Sequence, residues 1–135
     1  MNFNRNNIKI RCFDSDIREV MVYSNNNLKN FTMPQILSDN QEGFINLKVF
    51  LTEDINLVKE LKEIKSVEKL IFELYDSNEK LRYRFKLDDV SLQAIDFNNE
   101  EEVTFSFSGL THLDSEKLTY NITFKYNKLN IVSGE

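Results

Sequence analysis

The stretch LIFELYDSNEKLRYRFKL, residues 70–87, contains the clearest structural signal in the chain. From 81 to 87, apolar residues alternate strictly with cations. Because successive side chains of a β-strand point to opposite faces, this half predicts a strand with one buried face and one charged face. Residues 70–75 are apolar on both faces, which is typical of a strand between two layers. Residues 76–79, DSNE, have the length and composition of a hairpin turn.

The same period-two alternation marks further strands on both sides of this hairpin. It is clear at residues 45–51, 103–107 and 118–126, and weaker at 8–13 and 17–23. In the clear segments Thr, Ser, Asn and Lys occupy the alternate positions, so each has one face suited to a core and one suited to water. We therefore predict a mostly β protein.

One segment, residues 52–65, has helical periodicity instead. Thr52 can cap its start, and Lys65 lies near its end, where the helix dipole favours a cation. The apolar stripe at helical spacing consists of Ile55, Val58, Leu61 and Ile64. The helix follows the strand at 45–51 and precedes the hairpin at 70–87. We therefore predict an α+β chain that folds as a single domain over residues 1–135.

Composition excludes several kinds of site. Gly occurs three times and Pro once, too few for a Gly-rich phosphate loop or a Pro-rich recognition segment. Cys12 is the only cysteine, so an intrachain disulfide and a thiolate metal cluster are excluded. The formal net charge of −5 disfavours a dedicated DNA-binding surface. No apolar run has membrane-spanning length and the first residues do not read as a signal peptide, so we expect a cytoplasmic protein without a membrane role.

Residues that could support catalysis are few and scattered. His112 is the only histidine, and its sequence neighbours Ser108, Asp114 and Ser115 do not meet the spatial requirements of a triad. The Asp14-Ser15-Asp16 pattern is interpreted as a turn, because no further oxygen ligands or Gly accompany it. We therefore predict no enzyme activity and no cofactor.

Two charged stretches are candidates for contacts between subunits. They are the basic stripe Arg82, Arg84 and Lys86, and the acidic triplet Glu100, Glu101 and Glu102. The basic stripe suits either a solvated face or a contact with acids of an adjacent subunit. The interleaved Tyr83 and Phe85 point away from these cations and cannot stack bases beside them, which disfavours nucleic-acid binding. The acidic triplet suits solvated turns, a pore lining or a contact with a neighbouring cation.

The segment 24–42 has a different character and is interpreted as a long inter-strand loop. It contains five of the chain's Asn residues, the only Pro and several scattered apolar residues. Loops of this length in compact domains are usually functional or mobile. The apolar residues proposed to dock onto their own domain or a neighbour are Leu28, Phe31, Met33, Ile36 and Leu37.

The order of elements between 44 and 112 resembles that of tail tube proteins from contractile phages, R-type pyocins and type VI secretion-like systems. The similarity is strongest in residues 67–113: the strand 70–75, the polar turn, the alternating strand 81–87, the irregular run 88–97, and then NNEEEVTFSF at 98–107 followed by Gly109-Leu110-Thr111. The resemblance implies a two-sheet β-sandwich or half-barrel with one flanking α-helix. It also implies a structural role in a tail tube or baseplate ring.

The same resemblance implies hexameric rings of identical copies that stack and that contact other tube, sheath or baseplate proteins. The segment 24–42 corresponds by position to the loop used in stacking. The candidates for a hydrated lumen are Thr104, Ser106 and Ser108, or Thr119, Asn121 and Thr123. A neutral or acidic lumen would let DNA or a protein cargo pass without specific binding. The expected location is the host cytoplasm during assembly and then the virion tail or injection particle. The alternative is a small tail-completion or baseplate adaptor, or a secretion-chaperone-like binding module.

Overall fold

The computed structural model describes residues 7–53, 55–97 and 118–134, which form two packed antiparallel β-sheets and one α-helix. In chain order the elements are β1 (Ile8–Phe13), β2 (Glu19–Tyr23), β3 (Leu28–Phe31), β4 (Gly43–Phe50), α1 (Leu57–Lys65), β5 (Lys69–Tyr75), β6 (Leu81–Asp88), β7 (Ser91–Asp96), β8 (Thr119–Tyr126) and β9 (Lys128–Ser133). The five-stranded sheet has the order β2-β1-β5-β6-β9, and the four-stranded sheet has the order β3-β4-β8-β7.

The strands that the sequence predicts most clearly form as expected. The segments 45–51, 70–75, 81–87 and 118–126 correspond to β4, β5, β6 and β8. The turn at 76–79 joins β5 and β6 as an antiparallel hairpin. These strands, with one helix, confirm the predicted mostly β, two-sheet fold. The strand predicted at 103–107 lies outside the described residues.

Three segments differ from the sequence-based prediction. The segment 24–42 is not one loop, because it contains β3, and the loop proper runs from 32 to 42. The run 88–97, predicted to be irregular, contains β7, and β9 was not predicted. β3 has four residues, and the pairing of β7 is interrupted by a bulge between Leu92 and Ala94. Short or bulged strands carry too little alternation to be recognised from sequence.

The core lies between the two sheets. Its fully buried side chains include Ile10, Phe72, Leu47, Ile122 and Phe124, and Phe31 packs edge to face against Phe72 with ring centroids 6.2 Å apart. Cys12 is buried, in agreement with its interpretation as a small hydrophobe, and burial raises the pKa of its thiol. Gly43, the first residue of β4, has a packing reason, since a Cβ atom there would overlap the ring of Tyr126.

The helix is shorter than predicted and begins later. Its N-cap is Asn56, whose Oδ1 accepts a hydrogen bond from the backbone N of Lys59 at 3.2 Å, so Thr52 is not the cap. Ile64 is buried and Leu61 packs against the core, but Val58 is exposed and does not belong to the buried stripe. The helix packs beside β2 and β7, which are edge strands of the two sheets among the described residues.

The hydroxyl of Tyr120 ties the helix to the four-stranded sheet. It donates to Glu60 Oε2 at 3.0 Å. Burial raises the pKa of Glu60, and the hydrogen bond from Tyr120 partly opposes this shift. The helix therefore covers one side of the sandwich and is held there by both apolar and polar contacts.

Two aspartates stabilise hairpin turns of the five-stranded sheet: Asp14 lies in the turn between β1 and β2, and Asp76 lies in the turn between β5 and β6. Asp14 Oδ1 accepts from the backbone N of Asp16 at 2.9 Å and of Arg18 at 3.0 Å, and Asp76 Oδ1 accepts from Asn78 and Lys80 in the same way. The predicted Asp-Ser-Asp turn is therefore present. The backbone N–H of Arg18 holds the pKa of Asp14 below its usual value, and that of Lys80 does the same for Asp76.

Candidate assembly surfaces

The outer face of the four-stranded sheet has neutral polar groups in its middle row and charged or apolar groups in the rows on either side. Paired residues on neighbouring strands share a face, and the register sets Asn46 of β4 opposite Thr123 of β8, with Lys48 opposite Asn121. Asn46 Nδ2 donates to Thr123 Oγ1 at 3.1 Å. Asp96 of β7 lies opposite Asn121. The strands therefore build a wall with a neutral polar row, Asn46 and Thr123, between a row that carries Lys48 and Asp96 and a row that carries Lys125 and the exposed Phe44.

The predicted lumen residues fall partly on this wall. Asn121 and Thr123 lie on it and are half-buried, as the alternation of β8 predicted. Thr119 does not fit the prediction. It is paired with Phe50 at the end of the sheet and is only 3% exposed, so its hydroxyl is not available to a hydrated surface. Thr104, Ser106 and Ser108 lie outside the described residues.

The apolar residues predicted to dock from the 24–42 segment divide into two groups. Leu28 is buried in the core, and Phe31 and Leu37 pack against it, so these three dock onto their own domain, which is one of the two predicted alternatives, and are not available for stacking between rings. Met33 and Ile36 are exposed, and Ile36 is 84% exposed. The exposed pair therefore remains available to a neighbouring molecule.

The loop that carries Met33 and Ile36 is anchored at Gln35, which lies between them. The backbone N of Gln35 donates to the Tyr126 hydroxyl at 2.7 Å, and that hydroxyl donates to the Gln35 carbonyl at 3.1 Å. Because Tyr126 is fully buried in β8, the loop is fixed against the end of the four-stranded sheet. Ile36 is thus presented on an anchored segment.

The outer face of the five-stranded sheet is basic. We call this surface the basic face. Its cations, by the register of β1, β5, β6 and β9, are Lys9, Arg11, Lys69, Arg82, Arg84, Lys86 and Lys128. The acids on the same strand faces are Glu19, Glu73 and Asp88. The two outer faces of the sandwich therefore differ in charge.

The predicted basic stripe lies on this face, but two of its cations are already paired within the chain. Arg84 Nε contacts Glu73 Oε2 at 3.1 Å, and Arg82 Nε lies 3.2 Å from Asp76 Oδ2 without hydrogen-bond alignment. Lys86 forms no ion pair with any described residue. Glu100, Glu101 and Glu102 lie outside the described residues. Whether these charges join subunits stays a prediction.

Sequence reasoning missed the residue that organises the basic face. Glu73 is 3% exposed although it points to the outer side of the sheet. Arg11, Arg84 and the hydroxyl of Tyr75 all contact its carboxylate. The available signal was a single acid inside the apolar run 70–75, with two arginines on strands that pair with it.

Features of a chemical site are sparse in the described ranges. An open hollow of about 350 Å³ is lined in part by Lys9, Tyr75 and Glu79, and it brings no pair of carboxylates together. No group of three or more His, Cys, Asp or Glu side chains in these ranges is placed to hold a metal ion. No described helix has the length and apolar character needed to cross a bilayer. His112 lies outside the described residues.

Comparison with known proteins gives no match by sequence but several by structure. No protein-family model matches the chain, and no curated protein sequence matches it. A chain from the tube terminating cap of the anti-feeding prophage (AFP) superposes with a TM-score of 0.60 at 12% identity, over 99% of this chain and 93% of that chain. A chain from the six-fold symmetrised AFP baseplate superposes with a TM-score of 0.61 at 6% identity, over 98% of this chain and 96% of that chain.

A third match comes from the sheath-tube complex of PVC, an extracellular contractile injection system, in its extended state. Its TM-score is 0.60 at 9% identity, over 98% of this chain and 92% of that chain. Structural similarity at sequence identities this low shows the fold, and the superpositions cover nearly the whole of each chain. The chain therefore has the fold found in the AFP cap and baseplate and in the PVC sheath-tube complex, which confirms the tail-tube-like fold that the resemblance predicted.

Proposed function

We propose that this chain is a structural, non-enzymatic subunit of a ring in the tube, cap or baseplate of a contractile injection particle. The observation that carries the proposal is the match in fold over 98–99% of the chain to components of two such particles. The six-fold symmetrised baseplate among these matches supports a ring of six copies. The particle, after assembly in the host cytoplasm, is the expected location.

The four-stranded sheet is the proposed inner wall of the ring. Closing a ring of identical copies requires a contact between two different edges of the subunit. Among the described strands, β3 and β7 are the edges of this sheet, and unpaired strand edges favour pairing with another chain. Its outer face carries Asn46, Asn121 and Thr123 together with one acid, Asp96, and two cations, Lys48 and Lys125, so DNA or a protein cargo would meet a mainly polar surface of low net charge.

The loop 32–42 is the proposed contact between stacked rings. It holds Ile36 in an exposed position, and the hydrogen bonds between Gln35 and Tyr126 fix it against the sandwich. An apolar side chain presented on a fixed segment loses little conformational freedom on binding. Ile36, with Met33 beside it in the same loop, therefore suits a contact that repeats between rings.

The test is the oligomeric state of the purified chain over a range of concentrations, followed by light scattering and negative-stain microscopy. We expect closed rings with a central hole, and short stacks at high concentration. Monomers that persist at the highest concentration and form no ring with tube or sheath proteins encoded nearby would contradict the proposal. A one-to-one complex with a single such protein, without self-assembly, would favour an adaptor instead.

A pair of variants separates stacking from ring closure. Ile36→Asp places a charge at the proposed stacking contact, so we expect single rings and no stacks. Ile17→Asp places the same charge on an exposed residue of the turn between β1 and β2, outside the loop 32–42 and outside β3 and β7, and should stack as the wild type does. Loss of stacks in both variants, or in neither, would remove the loop from the proposal.

A further inference from the structure

Charge is distributed unevenly over the surface of this protein. The basic face carries seven Lys and Arg residues against three acids on the same strand faces, and two further acids, Asp76 and Asp89, pair with Arg82 and Lys128 from the adjoining turns. Cations therefore outnumber acids by two on this face, although the chain as a whole has a net charge of −5. Such segregation steers partners of opposite charge to one surface.

The centre of the basic face is an arginine pair held by a buried carboxylate. Glu73 accepts from Arg84 Nε at 3.1 Å, from Arg11 NH1 at 3.4 Å and from the Tyr75 hydroxyl at 3.1 Å. Glu19 also holds Arg11, with Oε2 2.6 Å from Nε. The guanidinium groups are therefore oriented before any partner arrives, which lowers the entropy lost on binding.

The two arginines keep donors for a further ligand. Both side chains are 40% exposed. Arg84 uses only Nε for Glu73, and its two terminal nitrogens contact no other described residue. The planar guanidinium donates in a fork that matches the two oxygens of a carboxylate or the oxygens of a phosphate. Lys86, two residues along β6 from Arg84, adds a cation without an ion pair to any described residue.

The surroundings of the pair favour a protein over a nucleic acid. Glu19, Glu73 and Asp88 lie on the same face and would repel a continuous phosphate backbone. Ile71 and Phe13 are half-buried between the charges, and Val132 is exposed at the edge of the face. A mixture of apolar side chains with fixed charges of both signs is typical of a protein interface.

We propose that the basic face, centred on Arg11, Glu73 and Arg84, is the docking surface for a partner protein that presents acidic side chains. The face lies on the opposite side of the sandwich from the polar wall of the four-stranded sheet, so one subunit can use both surfaces at once. The proposal does not depend on ring formation, because a monomer would present the same face.

The test uses a short fluorescent oligoglutamate peptide as the probe and measures its anisotropy with the full chain at low and moderate salt. The double variant R11Q/R84Q should weaken peptide binding by about tenfold, since two charge-assisted hydrogen-bond donors are lost. The matched control K48Q/K125Q changes the net charge equally but on the other sheet, and should weaken binding by less than about twofold. Equal losses in the two double variants would overturn the proposal.

A DNA duplex of similar total charge tests the choice of partner. We expect the duplex to bind more weakly than oligoglutamate at the same salt concentration. Tighter binding of the duplex, lost in R11Q/R84Q, would overturn the proposal in favour of a nucleic acid. Failure of the purified chain to form rings would leave these results unaffected, so the two proposals fail separately.

A further variant covers the risk that R11Q/R84Q does not fold with Glu73 left unpaired. R11Q/E73Q/R84Q removes the buried carboxylate together with its partners, and Gln can still hydrogen-bond to Tyr75. It lowers the net charge by one, so its matched control is K48Q alone. Peptide binding by the triple variant that equals that of K48Q would overturn the proposal.

Discussion

Glu73 shows how a single acid can be buried on the outer face of a sheet. Burying a carboxylate is costly unless its oxygens are paired, and here both oxygens accept hydrogen bonds. The arginines also cover Glu73 with their long side chains, which explains its burial at the surface of the molecule. The basic face is thus a connected network and not a set of independent surface charges.

Arg84→Ala tests this network through stability. It removes the donor to Glu73 Oε2 and leaves a buried charge less well paired, so we expect a loss of about 1–3 kcal/mol in the free energy of unfolding. Urea denaturation followed by circular dichroism measures it. Lys86→Ala lies on the same strand and face without an ion pair to a described residue, and should change stability by less than about 0.5 kcal/mol. Similar losses in both variants would show that the network adds little.

Ile17 is a second residue whose local structure is costly. It lies in the turn between β1 and β2 with a φ of 60° and is 72% exposed. A β-branched residue in this left-handed region is strained, and glycine is not. Ile17→Gly should therefore raise stability by about 1 kcal/mol. Ile36→Gly, at an exposed loop position without a positive φ, should not raise the free energy of unfolding. An equal gain in stability from Ile36→Gly would contradict backbone strain as the cause at Ile17.

Asp76 makes stability depend on pH. The backbone N–H of Lys80 is the main cause of its lowered pKa in the folded protein, so the unfolded state takes up a proton at a higher pH than the folded state. The stabilisation from Asp76 is present above the unfolded-state pKa and is lost as the pH falls through the lower folded-state pKa. Wild type and Asp76→Asn should differ in urea midpoint near neutral pH and converge in acid. Parallel midpoints at every pH would contradict this.

At the scale of elements, the sequence predicted the helix but not its first residue. Both Thr52 and Asn56 are good capping residues, and composition alone does not choose between them. The structure uses Asn56, because only from Leu57 onward does the turn of the helix place Leu57, Leu61 and Ile64 against the core. Tertiary packing thus selected the start of the helix.

A pair of substitutions checks the cap. Asn56→Ala removes the acceptor for the Lys59 backbone N–H and should cost about 1 kcal/mol in the free energy of unfolding. Thr52→Ala should have little effect, since Thr52 lies before the helix. Asn56→Asp keeps an acceptor and should restore most of the loss. A larger effect at Thr52 than at Asn56 would place the cap where the sequence alone suggested it.

For the strands and the candidate site, too, the sequence predicted some features and missed others. Regular alternation predicted β4, β6 and β8, and an apolar run on both faces predicted β5. The alternation matches burial in β4 and β8, where every second residue is buried, but in β6 Tyr83 is exposed. β3 lies in an Asn-rich segment without regular alternation, so the sequence did not decide whether its Leu28 and Phe31 dock onto their own domain, as they do, or onto a neighbour. Asn121 and Thr123 were placed on the correct face by periodicity. The Arg11–Glu73–Arg84 network depends on which strands are neighbours, and a single sequence does not reveal that.

At the scale of the whole molecule, the two outer faces divide the proposed tasks. The polar face of the four-stranded sheet suits a wall past which cargo moves, and the basic face suits an acidic partner on the outside. Such a division requires that neighbouring copies join through the edges of the sheets, so that both faces stay free. The edge contact is therefore the most informative place to disturb the assembly.

Gln93→Pro on β7 tests that contact. Gln93 is exposed and lies at the bulge, where it has no register partner on β8, and proline is tolerated at bulges of edge strands because no ladder hydrogen bond is lost. We expect stability within about 1 kcal/mol of the wild type. The proline removes a backbone donor and blocks pairing with another chain, so light scattering should detect monomers where the wild type forms rings. Gln93→Thr keeps the donor and should assemble normally. Rings formed equally well by Gln93→Pro would exclude the β7 edge as the contact between copies.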